Sequence, residues 1–135
     1  MAEHLRSNRL RPALVLCSTA LRTRQTLDLL QGTLGPHVDV RMEDELYGAD
    51  ADELLVRLHR VDEGVESVML IGHNPGLQDL AIELTGDGEQ AAIAQLEQKF
   101  PTCALATLDV GRIGWDELGR GQAYLADVVL PRHLE

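Results

Sequence analysis

The spacing of apolar residues changes repeatedly along these 135 residues, and each change predicts an element. Ala13-Leu14-Val15-Leu16-Cys17 is apolar throughout and predicts a short buried strand after Pro12. Ser18 and Thr19 are both suited to cap a helix through about Leu34, with Leu27 and Leu30 on its core face. Gly35-Pro36 turns the chain, and Val38 to Met42 alternates as a half-buried strand does. Asp50 to Val61 carries Leu54, Leu55, Leu58 and Val61 on one helical stripe. The run from Ser67 to Ile71 reads as apolar on both faces, as expected of a central parallel strand. After Gly72-His73-Asn74-Pro75-Gly76 the spacing becomes helical again, through Leu77, Leu80, Ala81 and Leu84.

Gly86-Asp87-Gly88 predicts a break before a polar helix over Glu89 to Lys99. Ala104 to Val110 and Ala123 to Leu130 predict two closing strands around a turn-rich stretch, Gly111 to Gly121. Met1 to Leu10 reads as the end of a helix anchored by Leu5. The alternation of strands and helices predicts one α/β domain over 1–135, a layered, mainly parallel sheet with helices on both faces.

Composition narrows the partners. A net charge of −10 argues against a nucleic-acid binder working through a basic face. No segment reaches transmembrane length and no signal-peptide pattern opens the chain. Two cysteines, Cys17 and Cys103, point to a cytoplasmic protein without a disulfide framework. No His or Cys pair has the short spacing of a metal-ligand motif, and no dinucleotide or Walker-type glycine loop appears, so neither metal nor cofactor is expected.

Two stretches carry candidate chemistry. His73 follows a strand and precedes a helix, the place where open α/β sheets bind ligands, and Gly72 would let backbone approach one. Cys17 to Thr26, CSTALRTRQT, likewise sets polar residues at the mouth of a helix. Free helix N–H groups, the Ser18 hydroxyl and Arg22 suit an anion there. Four residues separate Cys17 from Arg22 and six separate it from Arg24, where a cysteine-phosphatase loop needs five, so it reads as a core residue. Arg24 reads as a solvated helix arginine. His4, His37, His59 and His133 read as solvent-facing.

Four stretches, VLCSTALRTRQT (Val15 to Thr26), ELYGADADELL (Glu45 to Leu55), VMLIGHNPGLQDLA (Val68 to Ala81) and KFPTCALATL (Lys99 to Leu108), resemble the histidine phosphatase superfamily. This phosphoglycerate mutase-like group of hydrolases includes the small SixA-type phosphohistidine phosphatases, which the chain resembles within it. The resemblance implies that Arg22 and His73 are phosphate ligands, with Ser18 beside them and Asp44, or its neighbour Glu45, as a general-acid candidate. It also implies transfer of a phosphoryl group to a neutral imidazole, then release by water, with two arginines and a second histidine stabilising the equatorial oxygens. The substrate would be a phosphohistidine-bearing protein or a small phosphorylated molecule.

The superfamily's nucleophile belongs to an Arg-His-Gly motif at the end of the first strand, and these 135 residues contain none. Arg132-His133 is followed by Leu134, at the other end of the chain. The expectation is an N-terminally truncated domain, lacking one β-α unit of about 30 residues. The strands at Leu14–Cys17 and Val68–Ile71 would lose a shared partner, favouring a dimer through the incomplete sheet. Such a chain would be inactive alone. The alternatives are a non-catalytic phosphate- or phosphoprotein-binding domain and a small-molecule phosphomonoesterase.

Overall fold

The computed structural model describes residues 12–35, 37–101 and 104–130. The elements assigned to Met1–Leu10, together with His4, His133 and Cys103, lie outside the described residues. Among the described residues six strands and four α-helices follow one another: β1 (Leu14–Ser18), α1 (Leu21–Leu34), β2 (Asp39–Glu43), α2 (Ala51–His59), β3 (Val68–Ile71), α3 (Gly76–Leu84), β4 (Thr85–Gly88), α4 (Gln90–Gln98), β5 (Leu105–Asp109) and β6 (Ala123–Val129). Short 3-10 turns occupy Asp44–Leu46 and Trp115–Glu117.

All five residues of β1 are buried, because their alternation sends side chains into two cores. Val15 and Cys17 pack against Leu27, Leu30 and Leu34 of α1. Leu14 and Leu16 face Leu54 and Leu58 of α2 and Leu80 and Leu84 of α3. Helices therefore cover both faces of this sheet, as the uninterrupted apolar run requires. Each such aliphatic side chain contributes about 1.5–3 kcal/mol of burial. α2 is opened by a reciprocal capping box, in which the Asp50 carboxylate accepts from Glu53 N–H and the Glu53 carboxylate from Asp50 N–H.

The strands form two three-stranded sheets, ordered β2-β1-β3 and β4-β6-β5. β1 pairs in parallel with both β2 and β3, and β6 pairs in parallel with β4 and antiparallel with β5. Two expectations are corrected here. Gly86-Asp87-Gly88 is not a break but part of strand β4. A Cβ on Gly86 would lie 1.8 Å from the Gly121 carbonyl oxygen, and one on Gly88 2.6 Å from that of Leu125. These glycines allow close backbone approach, which composition alone reads as a turn.

The second correction concerns the gap in the sheet. β1 and β3 share no vacant partner position; they pair directly, from Leu14 opposite Val68 to Cys17 opposite Ile71. Among the described residues β3 is instead an end strand of its sheet, as β5 is of the other. Between them lies a cleft of about 640 Å³. Consecutive residues border it, Val68, Met69 and Leu70 on one side and Leu105, Ala106 and Thr107 on the other. A cleft over a sheet face would meet every second residue, so this one runs along the strand edges. A double-sided apolar pattern shows that a strand is covered on both faces but does not say which edge has a partner.

Candidate functional site

The register of β1 and β3 brings the two chemical stretches together. The last pair of the ladder is Cys17 opposite Ile71, so Ser18 and Gly72 come level at the carboxyl ends of the two strands. His73 follows directly, and its Nε2 lies 2.9 Å from Ser18 Oγ. Ser18 is fully buried and His73 half-buried, so the bond fixes the ring from below and leaves one side toward solvent. The hydroxyl also accepts from Ala20 N–H at 3.3 Å. The Ser18 carbonyl accepts from Thr23 Oγ1 at 2.8 Å. Ser18 is thus a hinge-point of the β1–α1 turn rather than the helix cap expected of it or Thr19. The capping position is Ala20, and no side chain caps it.

Arg22 is the second residue of α1, exposed, in a first turn whose amides lack helical acceptors. Among the described residues it forms no ion pair. Arg24 is exposed, as expected. Cys17 is wholly buried, and burial pushes its thiol above the ordinary value. It is a core residue, not a thiolate.

The turn after Gly72 is tied down on both sides. The His73 carbonyl accepts from Leu77 N–H at 3.0 Å. Asn74 donates its side-chain amide to the Phe100 carbonyl and accepts from Gln78 N–H at 3.3 Å. Gly76 meets the Ala49 carbonyl so closely that a Cβ would sit 2.2 Å from its oxygen. Its role is close approach between the start of α3 and the loop after β2. Gly72 has only ordinary contacts, with Leu77.

That loop carries Asp44 and Tyr47. Asp44 is exposed and forms no ion pair among the described residues, while its neighbours are engaged. Glu43 receives a two-pronged contact from buried Arg57, Nε to Oε1 at 2.6 Å and Nη2 to Oε2 at 2.9 Å. Hydrogen bonding from Arg57 holds the Glu43 carboxyl below its ordinary value. Glu45 pairs with Arg60 at 2.7 Å, which leaves Asp44 as the uncommitted acid of the three. Tyr47 is 67% exposed, yet its ring centroid lies 5.4 Å from that of His73, with the planes inclined at 57°. Sequence reading passed over Tyr47 and Arg57. The available signal for Tyr47 was an aromatic residue, in a chain with 3% aromatics, beside a glycine in a site-bearing stretch. His59, expected to face solvent, instead reaches the Leu118 carbonyl with Nε2 at 2.7 Å. Among the described residues no group of His, Cys, Asp and Glu could hold a metal ion. No helix among them is long and apolar enough to cross a membrane.

No family model matches the chain. An uncharacterized protein of Mycobacterium tuberculosis (strain ATCC 25618 / H37Rv) is 37% identical over 120 residues, covering 87% of this chain and 73% of that protein. One of Mycobacterium leprae is 36% identical over the same length, covering 71% of that protein. Among solved structures, one from Nakamurella multipartitia assigned to the phosphohistidine phosphatase SixA superposes with a TM-score of 0.78 at 32% identity, over 96% of this chain and 77% of that one. Another so assigned, from Agrobacterium tumefaciens, gives 0.75 at 32% identity over 96% and 75%. A SixA solved with tungstate shares the fold, at a TM-score of 0.74 and 24% identity. Shared identity over most of these proteins' length, with superposition at TM-scores of 0.78 and 0.75, places the chain in the SixA-type phosphohistidine phosphatase family of the histidine phosphatase superfamily.

Proposed function

We propose that this domain binds the phosphoryl group of phosphohistidine at the carboxyl ends of β1 and β3, and that it belongs to a phosphatase working through a phosphohistidine intermediate. The observation that carries the reading is the 2.9 Å contact between Ser18 and His73. It joins two stretches that family resemblance had already linked to phosphate, beside the open amides of α1 and Arg22. In this reading Arg22 and His73 donate to the equatorial oxygens, Ser18 holds the His73 ring, and Asp44 protonates the leaving group where one is needed. His73 binds beside the oxygens and is not in line with the leaving group.

The nucleophile is the remaining part. No Arg-His-Gly occurs in these residues, and the cleft between β3 and β5 has room and apolar lining for one more strand. A strand there would join the two sheets and deliver its carboxyl end close to His73. We infer that turnover needs such a strand, and that the 135 residues alone bind phosphate without hydrolysing it. The edge residues and the missing motif favour this binding-only behaviour for the chain by itself.

The test compares phosphohistidine hydrolysis by the 135-residue chain and by the same chain fused to an upstream β-α unit whose strand ends in Arg-His-Gly. Turnover by the fusion alone, through an acid-labile phosphoenzyme, is expected. Turnover by the unfused chain that His73→Ala abolishes would overturn the nucleophile assignment.

A further inference from the structure

Tyr47 is exposed at the mouth of the site, but it is not loosely held. Its neighbours Leu46 and Ala49 are buried, at 3% and 7% exposure, so the loop is anchored on each side of the ring. Tyr47 N–H donates to the Asp44 carbonyl at 3.0 Å, and Ala49 N–H to the Leu46 carbonyl at 3.3 Å. Gly48 takes a positive φ of 68°, a backbone state that favours glycine and redirects the chain immediately after the ring. The Ala49 carbonyl is then pressed against Gly76, at the foot of the His73 turn. Backbone contacts thus lock the loop that carries Tyr47 to the segment that carries His73, while most of the tyrosine surface faces solvent.

An aromatic ring held on a rigid backbone, open to solvent and 5.4 Å from a site histidine, offers a flat surface at small ordering cost. We propose that Tyr47 is a specificity residue: its ring stacks with the planar leaving group of the substrate, so that the site prefers phosphoryl groups carried on an aromatic or heteroaromatic ring over those on an alkyl chain. The inference rests on the phosphoryl site proposed above. It adds what that site discriminates, since Ser18, Arg22 and His73 contact only the part every phosphorylated substrate shares. An imidazole leaving group is planar and fits this surface; a serine or glycerol oxygen offers nothing to stack.

Phenylphosphonate and methylphosphonate differ in the ring and cannot be hydrolysed. Their dissociation constants for the 135-residue chain are measured by titration, with inorganic phosphate as reference. The wild type should bind phenylphosphonate about three- to tenfold more tightly than methylphosphonate, the range aromatic pairing supplies. Tyr47→Phe should keep that ratio, and Tyr47→Leu should bring it near one. His73→Ala should weaken both phosphonates together. A ratio near one in the wild type, or one that survives Tyr47→Leu, overturns the role of Tyr47 while leaving the phosphoryl site standing. Failure of all three anions to bind overturns the site itself, and the inference with it.

Discussion

Ser18 Oγ and His73 Nε2 lie 2.9 Å apart although 55 positions separate them in the chain. The parallel register of β1 and β3 produces the contact, because it brings Ser18 level with Gly72, the residue before His73. The serine is fully buried, so its hydroxyl has no water to fall back on and the bond is part of the fold as well as of the site.

Ser18→Ala removes the acceptor of Ala20 N–H together with the partner of His73. The expected cost is about 1–2 kcal/mol, read by denaturant unfolding. Phosphate affinity should fall as well, because the ring is no longer held. Unfolding and affinity both equal to wild type would show that the hydroxyl positions nothing.

The Glu43–Arg57 pair predicts an acid-sensitive element next to the site loop. Glu43→Gln leaves the buried guanidinium with only the exposed Glu45 carboxylate, 3.7 Å away, as counter-charge and should cost about 1.5–3 kcal/mol at neutral pH, the worth of a hydrogen bond to a charged group. Arg57 holds the folded-state value of Glu43 below its ordinary one. Its contribution is therefore complete above the ordinary glutamate value of about 4.3 and is lost as pH falls through the lower folded value. The stability difference between wild type and Glu43→Gln should shrink below about pH 4. A difference that is independent of pH would contradict the charged pairing.

Gly76→Ala should be more harmful than a glycine in a simple turn would suggest. The new Cβ would meet a backbone carbonyl at 2.2 Å, and backbone cannot rotate aside as a flexible side chain can. A loss of about 1–3 kcal/mol is expected, together with displacement of Tyr47 from His73. The Tyr47 and His73 ring signals in NMR spectra would record it. Unchanged spectra and unchanged stability would mean that the two segments are not locked together.

Much of this arrangement could be read in the sequence, and the reasons for the rest are physical. β1, α1, α2, β3 and α3 announce themselves because burial imposes strict spacing on Leu14–Cys17, on Leu54 and Leu58, and on Leu80 and Leu84. His73 stood out because Asn-Pro-Gly marks the turn after it. β4 was missed because Gly86 and Gly88 serve close backbone contact, with Gly121 and with Leu125 of β6, and leave no side-chain pattern. The position of the cleft was misjudged because edge pairing is decided between strands far apart in sequence. Arg57, His59 and Tyr47 owe their surroundings to Glu43, Leu118 and His73, and no local rule connects those positions.

The cleft itself makes a prediction about association. With the edges of β3 and β5 lacking strand partners among the described residues, the chain alone should bind an apolar dye such as ANS or form dimers as concentration rises. Fusion of an apolar strand that fills the cleft should suppress both and raise the unfolding midpoint. A chain that stays monomeric, excludes the dye and melts cooperatively without that strand would show that the cleft needs no occupant.

The measurement that bears most directly on the phosphoryl site is titration of the 135-residue chain with inorganic vanadate, followed through the NMR signals of the His73 ring. Saturable shifts at His73 are predicted, with affinity reduced about tenfold or more by Arg22→Ala, as expected when a charge-assisted donor to the anion is lost. His73 signals that do not respond to vanadate, or binding that is indifferent to Arg22→Ala, would contradict a phosphoryl site at the ends of β1 and β3.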